Sequence, residues 1–315
     1  MSKKYIKASV IVCTYNRSAL LEGCLNSLVS QDFPPDEYEI IVVDNNSTDN
    51  TSRIVNQITK GSSAEIRYVL EKRQGLSYAR NTGVKEARGK IVAFIDDDAR
   101  AGISWLKEIV GTFEKVTPVP GCVGGKVMPI WIAARPKWLP ESLLTYLGVL
   151  NHGDSPKWTE ENEYVWGVNM AFLKQSLERV GFFEPALGRK GKSLISNEEI
   201  FLFQKLRTSG ENVYYQPKAF VHHHVPQERL KKTWFLRRIF AQGISDYRID
   251  ILQSKGHPRK MYTNPLWLII EILYGAYLFT FTRTEKRYEY LTNVLIKSGY
   301  TYGRLYDLIT VSKNK

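Results

Sequence analysis

The chain has only three cysteines in 315 residues, Cys13, Cys24 and Cys122, scattered without metal-ligand spacing. That argues against a disulfide framework or a zinc knot and fits free thiols in a reducing compartment. No apolar leader opens the sequence. Met1-Ser2-Lys3-Lys4-Tyr5 runs straight into strand-like residues, so a cytoplasmic protein is expected. Internal repeats, low-complexity tracts, zinc-finger spacing and RNA-recognition signatures are absent, which makes nucleic acid a poor partner. Long apolar runs are scarce too. The most apolar stretch, Pro265–Phe281, is interrupted by Glu271 and Gly275. As a helix it would reach about 25 Å against a hydrocarbon core of about 30 Å. A buried helix and a helix lying on a membrane surface both fit it. The neighbouring Arg283, Lys286 and Arg287 suit either lipid headgroups or a solvated face.

What is present is ordinary globular material: 43% hydrophobic and 24% charged residues. The formal net charge of +12 is concentrated late, with 16 Lys and Arg against 7 Asp and Glu from Val225 to Lys315. A basic segment of this kind attracts anionic surfaces.

The first half alternates strand and helix signals. Ala8–Cys13, Glu39–Val43, Ile66–Leu70 and Ile91–Ile95 read as strands; Ser18–Ser30, a segment capped within Thr48-Asp49-Asn50-Thr51 and running to about Thr59, and Leu76–Ala87 read as helices. Repeated β-α-β units imply a mostly parallel sheet covered by helices on both faces. A helix over 103–115 follows. Strands are expected over Gly121–Met128, Glu163–Ala171, Asn212–Tyr215 and Ala219–His223, and helices over Lys174–Val180 and Asn197–Ser209. The C-terminal part is helical in tendency.

In open α/β sheets, ligands bind beyond the carboxyl ends of the strands. Here those ends carry Thr14-Tyr15-Asn16-Arg17, then Asp44-Asn45-Asn46-Ser47, then Glu71-Lys72 with Arg80 on the next helix, then Asp96-Asp97-Asp98. Three adjacent carboxylates repel one another, and a hard cation such as Mg²⁺ or Mn²⁺ relieves that repulsion while bridging to phosphates. Acidic, basic and amide groups along one edge are what a nucleoside diphosphate needs.

These segments, with Gly75-Leu76-Ser77-Tyr78-Ala79-Arg80-Asn81-Thr82-Gly83, Gly167-Val168-Asn169-Met170-Ala171-Phe172 and Gly181-Phe182-Phe183, resemble family 2 glycosyltransferases in order and spacing across most of residues 8 to 250. The resemblance implies a GT-A fold, Rossmann-like, to which the helical tendency of the C-terminal part adds a helical extension. It also implies a nucleotide-sugar donor (UDP being the expected nucleotide), a divalent cation and inversion at the anomeric carbon. Residues 1–225 would form the catalytic domain, with a nucleotide-binding half to about 118 and an acceptor half beyond it; 226–315 would be a basic helical extension, for which burial and a peripheral place at the membrane both stay open.

By the same resemblance, Thr14, Tyr15, Arg17 and Asp44 would meet the base and ribose, and Arg80 the uridine or diphosphate. Asp96 would hold the nucleotide through its ribose, with Asp97 beside it. Asp98, the last acid of a DXD-type motif, would carry Mn²⁺ or Mg²⁺ with His223. That histidine belongs to the run His222-His223-His224, whose alternation sends the middle ring to the opposite face. Inverting transfer needs a base for the acceptor hydroxyl. Glu199 stands where the family carries an aspartate, and Glu198 before it would orient the acceptor. Trp166, Gly167 and Asn169 would line the sugar or acceptor pocket. The Gln-x-x-Arg-Trp motif of processive members is missing, which implies one sugar per encounter. The acceptor would be a glycan or a lipid-linked precursor. A nucleotidyltransferase that makes nucleotide-sugars is the competing enzyme, but Thr14-Tyr15-Asn16-Arg17 is not its glycine-rich loop. A carbohydrate-binding module would have no need of Asp98 and Glu199 together.

Overall fold

The computed structural model describes residues 5–191, 193–254 and 286–313, with positions 270, 273–275, 277, 280 and 281 between. The β-α alternation is realised as β1 (Ala8–Thr14), α1 (Ser18–Val29), β2 (Tyr38–Asp44), α2 (Thr51–Gly61), β3 (Glu65–Leu70), α3 (Leu76–Glu86) and β4 (Ile91–Asp96). The segments β5 (Ala99–Ala101), α4 (Trp105–Lys115), β6 (Cys122–Gly124), β7 (Val127–Trp131), β8 (Lys157–Trp158), β9 (Asn169–Leu173) and α5 (Lys174–Val180) follow. Then come α6 (Glu198–Thr208), β10 (Val213–Tyr215), β11 (Val221–Val225) and α7 (Lys232–Gln253); α8 (Lys286–Lys313) is the last described helix.

Eight strands form one sheet in the order β3-β2-β1-β4-β9-β6-β10-β8, and β5-β11-β7 form a small second one. β1 to β4 are mutually parallel where they pair, which is the expected half. β9 inserts antiparallel between β4 and β6, so the sheet is mixed beyond β4. β1, β2 and β4 are buried along nearly their whole length, as strands covered on both faces must be. Register sets the edge: Thr14 is level with Asp44, and Cys13 with Asp96.

Several boundaries differ from expectation for local reasons. The stretch Gly121–Met128 is two strands broken at Gly125. A Cβ at Gly125 would lie 1.7 Å from the Ala219 carbonyl oxygen, so backbone crosses backbone there. Glu163–Val168 is not strand; Asn169 N closes a turn onto Trp166 O at 2.8 Å before β9 begins. β5 was not foreseen, because Ala99-Arg100-Ala101 has no apolar alternation to betray it.

Packing divides the chain into two units: residues 1–130, 148–186 and 198–224, and residues 131–147, 187–197 and 225–315. Two short segments of the first 225 residues therefore group with the C-terminal part. Within the first unit, Trp105 and Phe94, Phe172, Phe183 and Phe203 are among the most buried side chains. Within the second, α7 and α8 pack closely enough that a Cβ at Gly243 would lie 1.9 Å from Ile296 O, and one at Gly299 2.0 Å from Phe240 O. Among the described residues no helix is long and apolar enough to cross a membrane. Most of Pro265–Phe281, with Arg283, lies outside the described residues.

Candidate active site

The first two strand ends are tied together by their loops. Asn16 adopts φ 52°. Its N–H donates to Ser47 Oγ at 2.9 Å, while its side-chain oxygen accepts from Thr48 N at 2.7 Å. Asp49 reaches both following helices, accepting from Ser18 N and from the Thr51 N–H and hydroxyl. Asp44 is buried beneath this lattice. Its Oδ1 accepts from Ser47 N at 2.8 Å and its Oδ2 from the Tyr68 hydroxyl at 2.6 Å. Tyr68 did not figure among the strand-end residues because it lies inside β3; its place opposite Val42 is the signal that could have found it. Tyr15 is exposed and Thr14 buried.

Deeper along the third strand end, Asn45 ties the loop after β3 to β2. Its Nδ2 donates to Glu71 O and Arg73 O, and its Oδ1 accepts from Gly75 N. Glu71, held down to about 2 chiefly by hydrogen bonds from the Arg73 side chain, is a fixed negative group.

The aspartate triplet divides by burial. Asp97 and Asp98 are buried, while the Asp96 side chain is 37% exposed. Arg17 Nη1 bridges the buried two, at 3.0 Å from Asp97 Oδ1 and 2.8 Å from Asp98 Oδ2. Arg17 was expected on the base and ribose; here it is the counter-charge of the triplet. Burial pushes the Asp97 carboxyl up to about 7 despite that guanidinium, and the Asp98 charge pushes the same way. Cys13, level with Asp96, is pushed up to about 12 by burial, which removes it as a nucleophile at neutral pH.

His223 reaches the triplet through strand pairing rather than local sequence. β11 runs antiparallel to β5, with His223 opposite Ala99, and His224 N donates to Asp98 O at 2.9 Å. The His223 ring is buried with Nε2 3.3 Å from Asp98 Oδ1. His222 and His224 take the other face and are partly exposed, as strand alternation requires. Among the described residues no group of three or more His, Cys, Asp or Glu side chains converges to hold a metal.

Arg80 lies between two acidic groups. It is buried, with Nη1 2.6 Å from Glu198 Oε1 and Nη2 3.6 Å from Asp96 Oδ1. Its guanidinium also sits 5.3 Å from the Phe183 ring centroid and 6.0 Å from that of Phe94. Gly167 explains itself here: a Cβ would lie 2.5 Å from Arg80 Nη2. Glu198 and Glu199 open α6, where a helix N-terminus favours negative charge. Glu198 is buried and Glu199 half-buried.

Trp166 is half-buried, its indole N–H donating to Val149 O at 3.3 Å. Asn169 departs from the expected pocket. It is wholly buried; its Oδ1 accepts from Trp105 Nε1 at 2.8 Å, and its Nδ2 donates to Lys126 O and Ala219 O. Its amide belongs to the framework under the site.

Residues 9–181, over half of the chain, match the model of a family described as Glycosyl transferase family 2. A glucosyl-dolichyl phosphate glucuronosyltransferase of Haloferax volcanii is 28% identical over 309 residues, covering 97% of each chain. Among solved structures, the mannosyltransferase PcManGT of Pyrobaculum calidifontis, in complex with GDP-Man and Mn²⁺, superposes with a TM-score of 0.62 at 20% identity, over 96% of this chain and 87% of that one. Staphylococcus aureus TarS 1-349 with UDP gives a TM-score of 0.52 at 19% identity, over 96% and 92%. With its GT-A fold and these strand ends, the chain belongs to glycosyl transferase family 2.

Proposed function

We propose that this glycosyltransferase is metal-dependent and inverting, and moves one sugar from a nucleotide-sugar, most simply a UDP-sugar, to a hydroxyl on a lipid-linked or glycan acceptor. The observation that carries this reading is Arg80, buried between Asp96 and Glu198. One guanidinium thus joins Asp96 at the strand ends to the acid pair, which brings the two groups of residues into one site.

Glu199 is the base. It lies near enough to act on the Arg80 charge, and the residue is half-buried where Glu198 is buried. Its carboxylate takes the acceptor's hydroxyl proton as the oxygen bonds to the anomeric carbon from the face opposite the departing nucleoside diphosphate. Glu198, pinned to Arg80, orients the acceptor through its neighbour. Asp44, Thr14 and Tyr15 meet the base and ribose; Asp96, the exposed member of the triplet, meets the nucleotide, with Asp97 and Arg17 balancing charge beneath it.

Asp98 and His223 fit a divalent cation. They offer one oxygen and one nitrogen donor 3.3 Å apart on buried side chains. Mg²⁺ and Mn²⁺ commonly complete their shells with phosphate and water rather than with a full protein cage, so two protein ligands suffice. When bound, the cation supplies charge stabilisation to the leaving diphosphate.

A lipid-linked acceptor is favoured by the name of the Haloferax volcanii relative, which acts on glucosyl-dolichyl phosphate. Surface chemistry supports the same choice. Tyr302, Leu305, Tyr306 and Ile309 on α8, all more than half exposed, follow helical spacing. Ile270, Leu273, Tyr274, Tyr277 and Phe281 are exposed as well. With the basic balance of the last ninety or so residues, these form a peripheral membrane-binding surface.

The test is a panel of UDP- and GDP-sugars assayed for Mn²⁺-dependent hydrolysis, with and without EDTA. Glu199→Gln is expected to abolish turnover of the active donor while UDP or GDP affinity stays within about threefold, because the base acts only in the transition state. Turnover that survives this substitution removes Glu199 from the role, and turnover unchanged by EDTA removes the cation.

A further inference from the structure

We propose that Arg207 of α6 is a positioning residue that holds residues 159–167 along that helix and so fixes Trp166 relative to the Glu198–Glu199 pair, as a wall of the slot that receives the sugar. The proposal rests on the reading of Glu199 as the base and of Trp166 as a pocket residue.

Between β8 and β9 the chain has no strand to hold it, and residues 160–162 are exposed. What holds it is one guanidinium. Arg207 Nη1 donates to Glu161 O, and Nη2 serves Glu160 O at 2.7 Å, Glu163 O at 2.8 Å and Thr159 Oγ1 at 3.1 Å. The same group lies 5.2 Å from the Tyr164 ring centroid. Phe203, four residues before it, stacks on that ring at 6.3 Å with an interplanar angle of 21°. Glu199 stands four residues before Phe203, so the base, the ring and the guanidinium recur at the spacing of one helix face.

The far end of the segment meets the other end of α6. Val165 is wholly buried against β6, where a Cβ at Gly124 would lie 2.3 Å from the Val165 Cβ. The Trp166 indole donates to Val149 O, and its carbonyl accepts from Asn169 N. Gly167 abuts Arg80 Nη2, while Arg80 Nη1 holds Glu198. Residues 159–167 therefore run antiparallel to α6, from Arg207 near its end to Arg80 and Glu198 at its start. Trp166 belongs to the end beside Arg80.

Stability alone does not call for this arrangement. Glu160 and Glu161 are exposed, and water serves an exposed carbonyl nearly as well as a side chain does. Water does not fix where the segment lies along the helix. A guanidinium does, because its five N–H donors sit in a rigid planar fork, whereas an ammonium has three on a flexible stem. A misplacement of about 1 Å near the reacting groups costs on the order of 100-fold in rate.

The experiment uses the full chain, with hydrolysis of the nucleotide-sugar that wild type turns over fastest, and UDP and GDP as binding probes. Arg207→Lys keeps the charge and loses the fork. It should lower kcat by about 10- to 100-fold at a temperature where circular dichroism reports it folded, with nucleotide affinity within about threefold of wild type. Amide exchange should quicken in residues 160–167 and stay unchanged in β1 and β4. Trp166→Ala should also lower kcat, and adding Arg207→Lys to it should cost less than about threefold more, because both act on one wall. Thr159→Val, which removes one of the four bonds, should lose less than Arg207→Lys. If Arg207→Lys does not fold, Tyr164→Leu, which removes the ring that Phe203 and Arg207 share, takes its place in the same comparison. An arginine that only stabilises would leave kcat of the folded variant at the wild-type level, or its effect would add in full to that of Trp166→Ala. Either result overturns the proposal, as does nucleotide affinity falling in step with kcat, or wild-type kcat in Trp166→Ala. Glu199→Gln in parallel separates the readings: its retained turnover would sink the base assignment, whereas its inactivity beside a fully active Arg207→Lys would sink only the positioning role.

Discussion

Removing Arg80 tests how strongly the buried pair with Glu198 is coupled. Both side chains are about 4% exposed or less, and their charged atoms are 2.6 Å apart. At an effective dielectric near 20, that separation corresponds to a gross attraction of about 6 kcal/mol, much of it offset by the cost of taking both charges out of water. Arg80→Met fills a similar volume but leaves the Glu198 carboxylate buried, with Oε2 already lacking a hydrogen-bond partner. Stranding one member of such a pair costs about 3–5 kcal/mol. Glu198→Gln should cost less, because Arg80 keeps Asp96 at 3.6 Å and the two phenylalanine rings. The double variant removes both charges, so it should be more stable than the sum of the singles by at least about 2 kcal/mol. Urea unfolding of the four proteins measures this directly. A coupling energy below about 0.5 kcal/mol would mean that the two groups do not depend on each other, and the argument from Arg80 to the acid pair would fail.

Gly167→Ala should destabilise by about 1–3 kcal/mol because its methyl would press on a guanidinium that is pinned rather than free, and an unchanged denaturation midpoint would mean Arg80 can move aside. Burial raises Asp246 to about 6, against hydrogen bonds from Gln242 and Asn197. Its proton is therefore held more tightly in the folded chain, and wild-type stability should fall as pH rises from about 4 through 6 and then level off. Asp246→Asn abolishes that term, so its advantage over wild type should grow by up to about 3 kcal/mol across the window; parallel stability curves for the two proteins would contradict this. Flotation with anionic vesicles should recover the full chain, and replacing Leu305, Tyr306 and Ile309 with serine should reduce recovery severalfold; equal recovery would mean that the α8 stripe faces something other than lipid.

Much of the strand-end cluster was legible because it depends on local signals. β-branched runs made β1, β2 and β4 visible, and polar residues directly after them had to share one edge of a parallel sheet. What depends on pairing between distant segments was not legible. β5 is too short to carry a pattern, yet its pairing with β11 is what sets His223 beside Asp98. Asn169 looked like a pocket residue from its motif, but its amide is spent on Trp105, Lys126 and Ala219, contacts no periodicity could announce. The grip of Gln242 and Asp246 on Asn197 likewise joins a loop to a helix that lies well beyond it in sequence.

The pairing of β5 with β11 also imposes an order in time. A chain emerging from the ribosome can align β1 to β4, and so present Asp44, Asp96 and Arg17, before half of it has been made. His223, the second partner of Asp98, arrives only with β11, after a long intervening stretch. Until then Arg17, the group that bridges Asp97 and Asp98 in the folded chain, is the counter-charge at hand for the crowded aspartates. Arg17 is then also a folding aid whose usefulness begins before the enzyme exists, and its replacement should slow or divert early folding more than it weakens the finished protein.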